Sequence, residues 1–294
     1  MNSELPGFPI ELLNAINNKR LILFLGAGVS CNAGARGWTE ISKSMLEDFK
    51  NKKIIEDNEF SELHSTHYYA IFERLSQKSP DLYKEKFLEY LYVKDLKIIN
   101  RYKSLVNKLK QFNPVSIVTT NMDNLIMDSN LFGKEKIYYK NSCHPQNIIN
   151  DGIFCIHGNL KDNIFILSEK IRYYSTSNDL RFFLHNIFGS FCILFLGYGL
   201  DREDILHHYY VNSDYLNKEL IYHHAIVPSD CNLSETDYKM RYNIKLHKYS
   251  NNDGLRHQNF EKTIDFWLSN IPWTPLEKKS PLEVDNNARK TRIL

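Results

Sequence analysis

Leu21-Ile22-Leu23-Phe24-Leu25-Gly26-Ala27-Gly28-Val29-Ser30 is the stretch on which the reading of this chain turns. Five apolar residues in succession, Leu21 to Leu25, are too few for a helix of ordinary length. They suit a strand buried on both faces, as in a parallel sheet. Gly26, Ala27 and Gly28 follow at once, where a chain without bulky side chains turns tightly and admits a close neighbour. A helix is predicted from Trp38 onward. A strand, a glycine turn and a helix in that order aim backbone N–H groups into the turn, which favours a phosphate or pyrophosphate. The dinucleotide fingerprint Gly-x-Gly-x-x-Gly is incomplete here, with Cys31 at its third position and the next glycine at Gly34. Taken alone, the turn reads equally well as a strand end that merely needs glycine.

Composition narrows the classes. The 294 residues suffice for one large or two modest domains with ample core. Basic and acidic residues nearly cancel, 37 against 35, so no global field points to nucleic acid or to a membrane surface. No apolar run approaches the roughly 18–20 residues of a spanning helix. Met1 to Pro9 lack the charged-then-apolar pattern of a signal peptide, so a cytoplasmic location without membrane contact is expected. The cysteines, at 31, 143, 155, 192 and 231, are odd in number and form no Cys-x-x-Cys pair. That argues against a disulfide framework and a four-thiolate zinc site.

Periodicity then orders the chain. A short helix is predicted over Ile10–Asn18, and a loop of small residues, a candidate flap, over Cys31–Gly37. From Trp38 to Asn113 no strand-like run occurs. Helices are predicted near Trp38–Asn51, Glu59–Gln77, Leu82–Tyr92 and Asn100–Phe112, forming a helical insert. Strands return at Val115–Thr119, Ile137–Tyr139, Ile153–Ile156, Ile164–Leu167, Phe191–Leu196, Leu220–Val227 and Ile244–Tyr249. Helices are expected from Met122, after Ser168, over Leu180–Phe188, Arg202–Val211 and Leu255–Leu268. Apolar runs alternating with helices give an α/β fold, a doubly wound, mostly parallel Rossmann-like sheet. Residues 1–275 form the domain, 38–113 its insert, and 276–294 a basic tail.

In an open parallel sheet, ligands sit beyond the carboxyl ends of the strands. After the first run comes Gly-Ala-Gly-Val-Ser. The second run is followed by Thr119-Thr120-Asn121-Met122-Asp123, the Ile153 run by His157-Gly158, and the Phe191 run by Gly197-Tyr198-Gly199-Leu200-Asp201. Together these describe a pocket for a polar, phosphate-bearing ligand with a titratable histidine inside it.

These four segments resemble the sirtuin family, most closely the zinc-less sirtuin-like domains of bacterial antiphage proteins, and the likeness runs from about Ile10 to Leu268. Ala225-Ile226-Val227-Pro228 looks like the family's late strand, and Asp201 and Asp204 match its acidic continuation. The resemblance implies an NAD-binding sheet at which the bond between nicotinamide and ribose is cleaved. It implies that Gly26, Ala27, Gly28 and Ser30 line the pyrophosphate and adjacent ribose, and that Asn121 sits beside the nicotinamide ribose. Asp123 would bond the carboxamide, His157 would act as general base, and Gly197 and Tyr198 would shape the adenosine side. Two departures, the missing zinc cysteines and Asn32-Ala33-Gly34-Ala35-Arg36-Gly37-Trp38 in place of a Pro-Asp-Phe-Arg-type loop, speak against a deacylase and suit a hydrolase of NAD itself.

Nicotinamide is a cationic leaving group, so an enzyme helps by positioning it, by stabilising the developing charge and by presenting a nucleophile. A neutral imidazole takes a proton from a ribose hydroxyl or water at neutral pH. The expected activity is therefore NAD hydrolysis to nicotinamide and ADP-ribose, with NAD as substrate, no metal, and an antiphage role implied by the resemblance. Gating is expected from a homo-oligomer or from a partner resembling a HerA-type hexameric ATPase, with nucleic acid involved only indirectly. A non-catalytic NAD or ADP-ribose sensor and a zinc-free deacylase or ADP-ribosyltransferase stay open. The duller readings make Asn121 and Asp123 a helix cap, Tyr198 a packing residue, Trp38 the first buried residue of its helix, His207-His208 and His223-His224 core or surface positions, and Tyr68-Tyr69 and Tyr209-Tyr210 core and subunit interface.

Overall fold

The computed structural model describes residues 5–129, 137–139, 143, 145–148, 152–160, 164–165, 178–200, 221–251 and 258–271. Strands are β1 (Leu21–Leu25), β2 (Ser116–Thr119), β3 (Ile137–Tyr139), β4 (Ile153–Cys155), β5 (Gly158–Asn159), β6 (Ile164–Phe165), β7 (Cys192–Leu196), β8 (His223–Pro228) and β9 (Ile244–Tyr249). Helices are α1 (Ile10–Asn17), α2 (Ala27–Ala33), α3 (Trp38–Asn51), α4 (Asp57–His64), α5 (Tyr68–Lys78), α6 (Pro80–Leu91), α7 (Leu96–Lys110) and α8 (Leu125–Asp128). After β6 come α9 (Asn178–Ser190), α10 (Glu235–Tyr242) and α11 (Gln258–Ser269). The main sheet runs β3-β4-β2-β1-β7-β8-β9, and every neighbouring pair in it is parallel. The expected α/β, doubly wound Rossmann-like architecture is what the chain adopts.

β1 is central, and its side chains alternate between two cores because successive residues of a strand point to opposite faces. Leu21, Leu23 and Leu25 join residues of α1, α7 and α11 on one face. Ile22 and Phe24 join residues of α9 and α10 on the other. All five are fully buried, each contributing roughly 1.5–3 kcal/mol relative to exposure, which is why the five-residue apolar run fixes the fold.

The segment 38–113 divides between two cores. α3 to α6 close a core of their own around Met45, Phe49, Phe72, Leu75 and Phe87. α7, whose first turn is capped by Asp95 accepting from the Lys97 N–H at 2.8 Å, buries Tyr102, Leu105, Val106 and Leu109 beneath the sheet instead. The sequence treats all of this as one helical stretch because apolar spacing records that a face is buried, not against what.

Several boundaries differ from expectation. Cys31–Ala33 is not loop but the end of α2, which Gly34 terminates at φ +108°, leaving 34–37 as the connection. The helix predicted over Glu59–Gln77 is broken at Ser65–His67, where the Ser65 and Thr66 hydroxyls donate to Glu62 and Leu63 carbonyls, each at 2.8 Å. The helix expected from Met122 is reduced to Leu125–Asp128, capped by Asp123. β6 leaves the main sheet and pairs antiparallel with β5. The readings that involve Leu167, Ser168, Asp201–Val211 with its histidine and tyrosine pairs, and the 276–294 tail lie outside the described residues. No helix among the described residues is long and apolar enough to cross a membrane.

Candidate functional site

One row of the sheet's register explains how distant segments meet. Cys155 of β4 stands beside Thr119 of β2, Thr119 beside Leu25 of β1, and Leu25 beside Leu196 of β7. His157, Asn121, Ala27 and Tyr198 each come two residues after a member of that row, so all four leave the carboxyl edge in step. The strand order reverses between β1 and β7, the place where open α/β sheets open a crevice.

At that point the two glycine turns interlock. The Gly26 N–H donates to the Leu196 carbonyl at 2.9 Å and the Gly28 N–H to the Gly197 carbonyl at 2.8 Å. A Cβ on Gly26 would stand 2.5 Å from the Gly197 oxygen, and one on Gly197 would stand 2.4 Å from the Val29 nitrogen. Gly197 also holds φ +60°, a region that disfavours side chains. The close neighbour that demands these glycines is therefore the other turn. The Gly28 N–H, which the sequence assigns to a pyrophosphate, serves this lock. Leu200, at φ +53°, is held in the same turn by the Tyr238 hydroxyl, which donates to its carbonyl.

Beside the lock lies a cavity of about 520 Å³, within the range of small-molecule sites. The sheet edge lines it with Ala27, Gly28, Thr120, Met122, His157 and the 197–200 turn. The insert adds Trp38, Tyr68 and Tyr69, and the stretch entering α10 adds Asn232, Leu233 and Ser234. His157 is only 4 % exposed, and Gly158 after it turns the chain into β5 at φ +84°.

Asn121 and Asp123 face a second, smaller hollow. This recess, about 20 Å³, is lined by them together with Ser30, Arg36 and Tyr90. Ala27 and Trp38 line both hollows and so form the partition between them. Inside the recess Asn121 Nδ2 donates to the Gly26 carbonyl and to Ser30 Oγ, both at 3.1 Å. Ser30 Oγ in turn donates to Asp123 Oδ2 at 2.7 Å. The Gly26 oxygen only accepts, which fixes the orientation of the Asn121 amide. Asn121 Oδ1, in a residue 2 % exposed, then has no hydrogen-bond partner among the described residues. Such a group costs about 1–3 kcal/mol in an apo protein unless water or ligand reaches it. The recess has room for about one water.

Asp123 Oδ1 accepts from the Leu125 N–H at 2.9 Å, so the cap reading and the site reading hold together. Burial raises the Asp123 pKa, and Asp128 adds to the rise, while the Ser30 and Leu125 bonds oppose it. Tyr198 is 8 % exposed and packs on Phe24 and Phe195, with ring centroids 4.9 and 5.8 Å away. It is a packing residue whose edge reaches the cavity. His223 and His224 are buried on β8. Among the described residues no group of three His, Cys, Asp or Glu side chains could hold a metal ion.

Residues 115–247 match the family model of a SIR2-like domain. That stretch is similar to a SIR2-like domain. The match covers the sheet from just before β2 into β9. It includes the Thr-Thr-Asn-Met-Asp, His-Gly and Gly-Tyr-Gly segments, while the β1 turn and the insert precede it. No curated protein matches the chain significantly.

Sequence reasoning missed Tyr68, Tyr69 and Asn232–Ser234 as lining residues. The tyrosine pair reads as core and interface from sequence, yet it opens a helix of the insert and lines the cavity. Trp38 is half-buried: it packs on Phe72 and Phe87 and also lines both hollows.

Proposed function

We propose that this protein is an NAD glycohydrolase that yields nicotinamide and ADP-ribose. The observation that carries the reading is the unpartnered, buried Oδ1 of Asn121 in a recess beside the cavity that holds His157. Its support is the SIR2-like match together with the shared register of the strands bearing these residues.

In the reaction the C–N bond between ribose and nicotinamide breaks and a water oxygen bonds to the sugar carbon. The pyridine nitrogen keeps the electron pair and becomes neutral, and the water's proton passes to His157 and then to solvent. Asn121 Oδ1 accepts a hydrogen bond from the attacking water, for which the recess it lines has room. Asp123, which lines the recess, is assigned to the carboxamide by the resemblance alone. The interlocked turns hold the edge rigid, and a preorganised site needs no reorganisation during reaction.

The biological setting we propose is antiphage defence by NAD depletion, which follows the resemblance to sirtuin-like defence domains. Control falls to a homo-oligomer or to a HerA-type ATPase partner. Purified protein incubated with NAD, alone and with such a partner, is expected to release nicotinamide and ADP-ribose without any acceptor peptide. NAD that stays intact in both cases while still binding would replace this reading with a sensing subunit.

A further inference from the structure

The insert brings a wall of rings to the cavity. Tyr68 and Tyr69 open α5 and both line the 520 Å³ cavity, as does Trp38. These rings are backed by others. Tyr68 meets Phe72 edge-on at 6.2 Å, and Trp38 meets Phe72 edge-on and stacks on Phe87, each at 6.3 Å. Tyr68 and Tyr69 lie 4.3 Å apart between centroids, with the His67 ring 4.1 Å from Tyr68. Phe72 and Phe87 are fully buried in the insert core, so the wall is braced before any ligand arrives. The sheet edge, by contrast, lines the cavity with Ala27, Gly28, Gly197 and Gly199. Thr120, Met122, His157, Tyr198 and Leu200 complete that edge, so the rings of α3 and α5 form one wall of the cavity, and such a wall suits a flat group.

We propose that Tyr69, with Tyr68 and Trp38, forms a stacking subsite for a planar nitrogen heterocycle, and that the insert thereby selects the ligand. The inference rests on the proposed NAD reading. It goes beyond it in giving the insert a direct part in binding, at residues outside the matched domain. NAD has two such heterocycles, adenine and the nicotinamide ring, and either satisfies the chemistry. Stacking tolerates different rings because every base presents a π-face.

The test is calorimetric titration of wild type, Tyr69→Ala and Tyr69→Phe with NAD, adenosine monophosphate and nicotinamide mononucleotide, with thermal melting as the folding check. Tyr69→Ala is expected to weaken NAD at least about fivefold while Tyr69→Phe binds like wild type, because the ring and not the hydroxyl does the stacking. Parallel weakening of one mononucleotide alone identifies its ring as the occupant. Should Tyr69→Ala and a Tyr68→Leu, Tyr69→Ala double variant bind NAD as wild type does, the stacking subsite is overturned and the hydrolase reading stands. Equal losses in Tyr69→Phe and Tyr69→Ala also overturn it, since the hydroxyl would then be the contact. Absence of NAD binding by the wild type overturns both.

Discussion

Two clusters of buried and half-buried polar side chains belong to the same sheet and behave in opposite ways. At the carboxyl edge, Ser30, Asn121 and Asp123 bond one another in a chain and border a hollow. Across β8 and β9, His223, His224 and His247 are packed among rings. His223 Nδ1 accepts from the Ile193 N–H at 3.2 Å and its ring meets Phe188 edge-on. His224 Nδ1 lies 3.0 Å from His247 Nε2, and His247 stands edge-on to Trp267. Both clusters leave a buried atom without a partner among the described residues, Asn121 Oδ1 in one and His224 Nε2 in the other. The difference lies in the neighbours. Asn121 lines a hollow that a water or ligand can enter, whereas His224 stacks on the His247 ring within the sheet. Burial alone does not separate a site from a core.

Function gives the sharpest way to break this contrast. His157→Ala and Asn121→Ala are each expected to lower NAD cleavage about 10²–10⁴-fold while remaining folded. Undiminished turnover in either purified variant would refute its assigned role. Replacing His224 should leave NAD cleavage per folded molecule unchanged, and a comparable loss there would erase the distinction.

Next in size is the glycine lock. Gly197→Ala places a methyl into the Val29 backbone at positive φ and is expected to cost about 3 kcal/mol in denaturant unfolding. Gly189→Ala, where a Cβ meets nothing within 4 Å, is the control.

Acid separates the clusters by sign. Burial lowers the pKa of His223 to about 3, His224 to about 2 and His247 to about 4, from 6.5, with Lys245 acting in the same direction on the last two and Glu11 opposing it at His247. The unfolded chain therefore binds more protons than the native one below pH 6.5. The stability these groups provide is complete above that pH and declines as pH falls toward the native values, by at most roughly 1.4 kcal/mol per pH unit per histidine. Asp123 runs the other way. Its raised pKa means that the native state binds more protons than the unfolded one above 3.8, so its contribution weakens as pH rises through that window. Unfolding midpoints measured from pH 7 to pH 4.5 should fall steadily, and a flat profile would contradict burial of neutral imidazoles. Asp123→Asn should be more stable than wild type at pH 7 and lose that advantage at pH 4.

The smallest effect concerns the link between motifs. Ser30→Ala removes the hydroxyl joining Asn121 to Asp123 and is expected to cost about 1 kcal/mol of stability. A larger drop in NAD affinity than in stability would mark Ser30 as a positioning residue rather than a structural one.

The sheet was legible in the sequence because a strand buried on both faces needs an unbroken apolar run, and β1 and β7 each supply five such residues. The carboxyl-edge segments were legible because four of them, each with a duller reading alone, follow apolar runs that a parallel sheet brings to one edge. The purpose of the glycines was not, since their mutual Cβ exclusion depends on two turns more than 160 residues apart in the chain. Nor was the division of the edge into two hollows, because Thr120 and Asn121 are neighbours in sequence yet line different ones. The helical stretch hid its split between two cores for the same reason, that periodicity is silent about partners.

The chain enters the α3–α6 bundle past Arg36 and Trp38 and leaves it past Tyr90, Leu91 and Val93, and all five border the recess of Asn121 and Asp123. Val93 is tied there in both directions, its N–H donating to Asn124 Oδ1 at 2.8 Å and its carbonyl accepting from Asn124 Nδ2 at 3.0 Å. Those four helices are thus mounted like a handle with both feet on the rim of the smallest compartment in the crevice.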